Sequence, residues 1–161
     1  MTCRSSWFSL LLRLPSAVVC LFFTFSIQAQ EAPGEISNEI PDYYVAAIEL
    51  HTTAELHTVL ERANQLLADG VALQSEPASI TFVLHGPEAK SLLRQNYLQN
   101  KATVDLAARL SALGVVDIKA CETWMGGNGV NPDNLQPFVG TVNYGPREIR
   151  RLVEDEGYLL F

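Results

Sequence analysis

Residues 79–121 read SITFVLHGPEAKSLLRQNYLQNKATVDLAARLSALGVVDIKAC, and this stretch decides the fold. Ser79–Leu84 is a run of β-formers stopped by His85-Gly86-Pro87. Helical spacing follows from Glu88 to about Tyr97, and again from about Ala102 to Leu113. In the second helix Leu106, Leu110 and Leu113 share one side, and Gly114 stops it. Val115–Ala120 is the next strand and ends at Cys121. Strands that alternate with helices imply a parallel sheet covered on both faces.

The same alternation extends outward. Tyr43–Leu50 (YYVAAIEL) reads as the first strand. Thr52 and Glu55 fit a capping box, and Leu56, Val59, Leu60, Ala63, Leu66 and Leu67 follow with helical spacing up to Gly70. Beyond Cys121, Glu122–Gly129 is short and glycine-rich, and Pro132–Leu135 fits one helical turn. Val139–Tyr144 reads as a fourth strand. Gly145-Pro146 opens a last helix, with proline at its tolerated first position. Ile149, Leu152 and Val153 are expected to face inward, Gly157 ends the helix, and Tyr158–Phe161 closes as a fifth strand. The expectation is a three-layer α/β/α domain over residues 43–161 with a mainly parallel five-stranded sheet.

The first 29 residues read differently. Arg4 and Arg13 precede an apolar run, Leu14–Ile27, and small Ala29 follows it. That pattern describes a secretory signal with cleavage near Ala29 and a periplasmic or secreted product; an uncleaved membrane anchor is the alternative. Residues 30–42 are acidic, contain Pro33, Gly34 and Pro41, and read as a linker. Removing 29 residues leaves 132 that carry 9 basic and 18 acidic groups, a net charge of −9 against −7 for the whole chain. Such a balance opposes capture of nucleic acid. Membrane contact is expected only through the signal segment. Cys3 and Cys20 leave with it, so Cys121 becomes the single thiol.

In open parallel α/β sheets, sites lie at the carboxyl ends of strands. His51 falls after the first strand, His85 after the second and Cys121 after the third. Backbone N–H groups at a helix beginning with Glu122 favour a Cys121 thiolate, whereas the Glu122 charge opposes it. The alternative for Cys121 is simple packing where strand meets helix. His85 is placed to orient or deprotonate the thiol, or it is a turn residue before Gly-Pro. Trp124 and Met125 are expected to form an apolar lip over the thiol or to join the core. His51, His85 and Cys121 form a third, metal-binding alternative, without the close ligand spacing of a strong motif. His57 is expected on the exposed face of its helix. Arg147, Arg150 and Arg151 are expected on a solvated helix face. There is no dinucleotide fingerprint, P-loop, nucleophile elbow or paired-cysteine motif, and no cofactor is implied.

The stretch Cys121-Glu122-x-x-Met125 after a strand is followed by Leu135-x-Pro137, Gly145, Glu148-Ile149 and Glu156-Gly157-Tyr158. Leu84-His85-Gly86-Pro87 and Leu113-Gly114-Val115 precede it. In order and spacing these pieces resemble the DsrE/DsrF-like family, in the branch with a Cys-Glu-x-x-Met pattern, over about Tyr43–Phe161. The resemblance implies a three-layer α/β fold assembled as a trimer or hexamer. It also implies sulfur relay, with Cys121 carrying a persulfide between a donor and an acceptor protein. In some family subunits the cysteine is missing and the role is structural. Two features depart from the relay pattern: the export signal, and the acidic Glu122–Asn128 segment where relay subunits are basic.

Overall fold

The computed structural model describes residues 43–70 and 77–161. The signal read at 1–29 and the linker read at 30–42 lie outside the described residues. Among the described residues nine main elements run in order: β1 (Tyr44–Ala46), α1 (Thr53–Ala68), β2 (Ile80–Leu84), α2 (Lys101–Ala112), β3 (Val116–Cys121), α3 (Glu122–Gly127), β4 (Val139–Val142), α4 (Gly145–Arg150) and β5 (Leu159–Leu160). The sheet order is β4-β3-β2-β1-β5, and every pairing is parallel.

β2 is buried at all five positions. A strand covered on both faces needs apolar residues in both side-chain directions, which is why ITFVL does not alternate. On one face Phe82, Leu84 and Ile118 pack with Leu56, Leu60 and Ala63 of α1 and Val104, Ala107 and Leu110 of α2. On the other face Val45 and Val83 meet Leu152 and Tyr158, with Ile149 and Val153 against them. The inward set expected for the last helix is the one observed. That helix runs on from α4 as a π-helical turn, Arg151–Asp155.

The strand order sets the helix placement. From β1 to β4 the chain steps in one direction, so right-handed crossovers keep the intervening helices on one face. From β4 it returns past β3, β2 and β1 to reach β5, and the same handedness moves α4 to the opposite face.

Several elements differ from expectation. β1 ends at Ala46 rather than Leu50, because Glu49 and Leu50 donate their N–H groups to the Glu55 carboxylate, at 2.8 Å each, instead of to a strand. The capping box is therefore half formed: Thr52 Oγ1 accepts the Glu55 N–H, but Glu55 does not return to Thr52. The helix expected over Glu88–Tyr97 is two 3₁₀ segments, Pro87–Leu92 and Arg94–Asn96. Leu93 between them is extended and bridges Leu135, so a tertiary contact overrides helical propensity. The glycine-rich stretch after Cys121 forms the short helix α3, with Gly126 and Gly127 as its last residues. Leu113 is exposed rather than facing the core with Leu110. Two strands are shorter than expected, β4 ending at Val142 and β5 holding only Leu159 and Leu160.

His57 is also held more firmly than a solvated residue. Its Nδ1 lies 3.2 Å from Thr103 Oγ1 of α2, and its Nε2 lies 3.3 Å from Glu61. Among the described residues no helix is long and apolar enough to cross a membrane.

Phe82 is fully buried between the sheet and the α1–α2 layer. Phe82→Ala is expected to lower stability by about 3–5 kcal/mol, the range for losing a buried aromatic ring. Urea unfolding should show a lower midpoint at unchanged slope.

Candidate functional site

The connections leaving β3 and β4 diverge to opposite faces of the sheet. A crevice opens at such a switch point, at the carboxyl ends of the two strands. Cys121 closes β3 and pairs with Val142 of β4. Its Sγ accepts two backbone N–H groups, from Trp124 at 3.4 Å and from Gly145 at 3.2 Å. The first belongs to the start of α3 and the second to the start of α4. Thr123 fastens the two connections together, since its N–H and its hydroxyl both donate to Asn143 O, at 3.1 and 2.7 Å.

Gly145 makes this approach possible. A Cβ at that position would lie 2.8 Å from His85 Cβ and 3.3 Å from Cys121 Cβ. His85 and Cys121 thus flank the same glycine. Both line a cavity of about 200 Å³ together with Thr123, Trp124, Tyr144 and Pro146. Cys121 itself is only 2% exposed, whereas Tyr144 at the rim is 49% exposed. Lys90 Nζ stands 5.7 Å from the centre of the Trp124 ring, a cation–π contact.

Behind His85 lies a residue the motif reading passed over. Glu88 is completely buried, and its carboxylate organises the turn after β2. Oε1 accepts the N–H groups of His85 and Gly86, at 3.0 and 2.9 Å. Oε2 lies 3.1 Å from His51 Nδ1. The His51 ring then meets the His85 ring edge-on, with centroids 4.5 Å apart. Gly86 must lack a side chain here, because a Cβ would stand 2.5 Å from both Glu88 Oε2 and His51 Cγ. His51 adopts a left-handed backbone, φ 51°, to present its ring. Burial, with the neighbouring His51 ring, holds the His85 imidazole below the usual histidine range, and the Glu88 carboxylate only partly opposes this. This environment favours the uncharged imidazole.

The residues singled out from sequence separate into groups. His85, Cys121 and Trp124 meet at the cavity. His51 backs His85 and is absent from that lining. Met125 is fully buried in the core of the α1–α2 face, so only Trp124 forms the expected lip. Glu122 is exposed and turns away to accept the Thr141 hydroxyl at 2.6 Å. Among the described residues no group of three His, Cys, Asp or Glu side chains is placed to hold a metal, so His51, His85 and Cys121 do not converge as ligands. Arg151 is not merely solvated: it donates to Glu148 at 2.9 and 2.8 Å and pairs with Glu156. A signal for Glu88 did exist in the sequence. It is an acidic residue two positions after the glycine of a strand-ending turn, placed to bond the N–H groups of that turn.

No family model matches the chain, and no curated protein matches it. A solved structure is similar in fold: MTH1491 from Methanobacterium thermoautotrophicum, a protein of unknown function. The two are 19% identical with a TM-score of 0.53, over 74% of this chain and 94% of that one. At that identity the likeness concerns the fold alone.

Glu88→Ala leaves the His85 and Gly86 N–H groups without their acceptor. A loss of about 3 kcal/mol is expected, the range for stranding buried donors, and urea unfolding measures it. His85 yields a pH prediction. Its folded-state imidazole binds a proton more weakly than the unfolded one, so the unfolded chain holds more protons below pH 6.5. Stability therefore rises with pH through the window between the lowered value and 6.5, and the penalty is gone above it. Unfolding midpoints measured from pH 5 to 8 should fall more on the acid side in the wild type than in His85→Asn.

Proposed function

We propose that this chain is an exported thiol protein that accepts sulfane sulfur on Cys121 and passes it on, as its resemblance to the DsrE/DsrF-like family implies. One observation carries the reading. The Cys121 sulfur sits at the wall of a cavity with two backbone N–H groups aimed at it and His85 beside the same glycine. Donors fixed in advance on an atom that gains charge stabilise it without reorganisation.

The step conserves atoms and electrons. His85 takes the thiol proton, and the Cys121 thiolate attacks the outer sulfur of a donor R–S–SH. A new S–S bond forms to Sγ as the donor S–S bond breaks, and its electron pair leaves on R–S⁻, which is then protonated. Cys121 becomes Cys–S–SH, and an acceptor thiolate removes the outer sulfur by the same exchange. No outside oxidant or reductant enters. Trimeric or hexameric assembly and a protein acceptor belong to this proposal.

A second reading has its own observation: Cys121 is 2% exposed. In that reading the sulfur is packing material where β3 meets two helix starts, and the protein is a non-catalytic oligomeric binding module. The two readings predict opposite labelling. A working thiol is alkylated in the native protein, whereas a packing thiol reacts only after unfolding. For the sulfur carrier, incubation with a small persulfide adds one sulfur atom to the intact mass, and Cys121→Ser abolishes the gain. An unchanged mass in the wild type, or an equal gain in the variant, overturns the sulfur-carrier reading.

A further inference from the structure

Tyr144 is shared by two recesses. On one side it lines the cavity that holds Cys121 and His85. On the other it lines an open cleft of about 470 Å³ with Thr141, Asn143, Arg147, Glu148 and Arg151. Three consecutive residues connect the two. Gly145 donates its N–H to the Cys121 sulfur, Pro146 lines the thiol cavity, and Arg147 lines the cleft.

The charges of the cleft are unevenly committed. Glu148 is held below the usual carboxylate range by its hydrogen bonds to Arg151, and Lys119 stands 3.7 Å away. Arg151 is taken by Glu148 and Glu156. Glu122 is turned onto the Thr141 hydroxyl at the far wall. The Arg147 side chain is exposed and makes no ion pair or hydrogen bond among the described residues. Apart from His85, no basic side chain lines the thiol cavity. Lys90 stands against the Trp124 ring but is absent from the cavity lining, whereas the adjoining cleft offers the uncommitted Arg147 guanidinium, one residue beyond Pro146.

The geometry points to a donor that spans both recesses: a low-molecular-weight thiol persulfide bearing a carboxylate, its sulfur end in the cavity and its carboxylate on Arg147, with the connecting carbons across Tyr144. This deepens the sulfur-carrier reading and rests on it. A guanidinium matches a carboxylate with two parallel donors, which adds orientation as well as attraction. A compact donor such as thiosulfate concentrates its charge beside the sulfur and reaches no cation in the cavity.

Two probe sets of matched size test the assignment at pH 7.5. The first compares the persulfides of 3-mercaptopropionate and 2-mercaptoethanol by the rate of sulfur gain on Cys121. The second compares anionic sulfonatoethyl with neutral hydroxyethyl methanethiosulfonate by the rate of Cys121 labelling, and requires no sulfur-carrier activity. In each set the anionic-to-neutral ratio, normalised to a free cysteine peptide, should exceed unity by about tenfold, as one charge-assisted contact allows. Arg147→Gln should bring it near one. Arg62→Gln, which removes an equal charge from α1, should retain it. A ratio near one in the wild type, or one unaffected by Arg147→Gln, overturns the assignment. If neither persulfide reacts while the methanethiosulfonate ratio still depends on Arg147, the sulfur-carrier reading fails. The anion-guiding role of Arg147 then survives without its substrate.

Discussion

Everything at the candidate site follows from one reversal of direction. The chain lays down four parallel strands in sequence and then crosses back over three of them. Because crossovers keep one hand, reversing direction changes the face on which the helix travels. α3 and α4 therefore leave neighbouring strand ends toward opposite layers. Their starts point at the place where they part, and the sulfur of Cys121 lies there. Gly145 is the steric condition for this convergence, since any side chain at that position would meet His85 and Cys121.

A second constraint holds the histidine side of the site. A fully buried carboxylate is costly unless hydrogen bonds satisfy it. Glu88 is satisfied by two N–H groups of its own turn and by the His51 ring. One residue thereby shapes the turn after β2 and anchors an imidazole that originates 37 positions earlier. It also explains why the following segment is 3₁₀ rather than α-helical. The turn is drawn back onto its own carboxylate, and Leu93 is drawn across to Leu135. The depressed titration of His85 is a consequence of the same packing.

The elements that sequence periodicity located well are those whose residues answer to a single neighbour layer. α1 shows its buried stripe at Leu56, Leu60 and Ala63, and β2 shows its two-sided burial as an unbroken apolar run. Those it misjudged answer to contacts distant in sequence. β1 stops early because Glu55 captures the N–H groups beyond it, and the helix expected over Glu88–Tyr97 gives way to two 3₁₀ segments where Leu93 bridges Leu135. The site was partly legible. The strand-end rule singled out His51, His85 and Cys121 because a parallel sheet collects its carboxyl ends along one edge. Met125 and Glu122 were next to Cys121 in sequence, but the helical turn sends one into the core and the other to Thr141.

The amino-acid sequence by itself determined the α/β alternation, the parallel pairing it requires, and the placing of a histidine and a cysteine at successive strand ends. Those depend on periodicity and local stop signals, which short windows contain. Only the tertiary structure decided that α4 lies on the opposite face, that Gly145 meets the sulfur, and that Glu88 anchors His51. It also decided that Arg147 stands unpaired beside a cleft sharing Tyr144 with the thiol cavity. The physical reason is range: those outcomes depend on which strand the chain returns to and on contacts between distant residues, and no local pattern of hydrophobicity or turn residues encodes either.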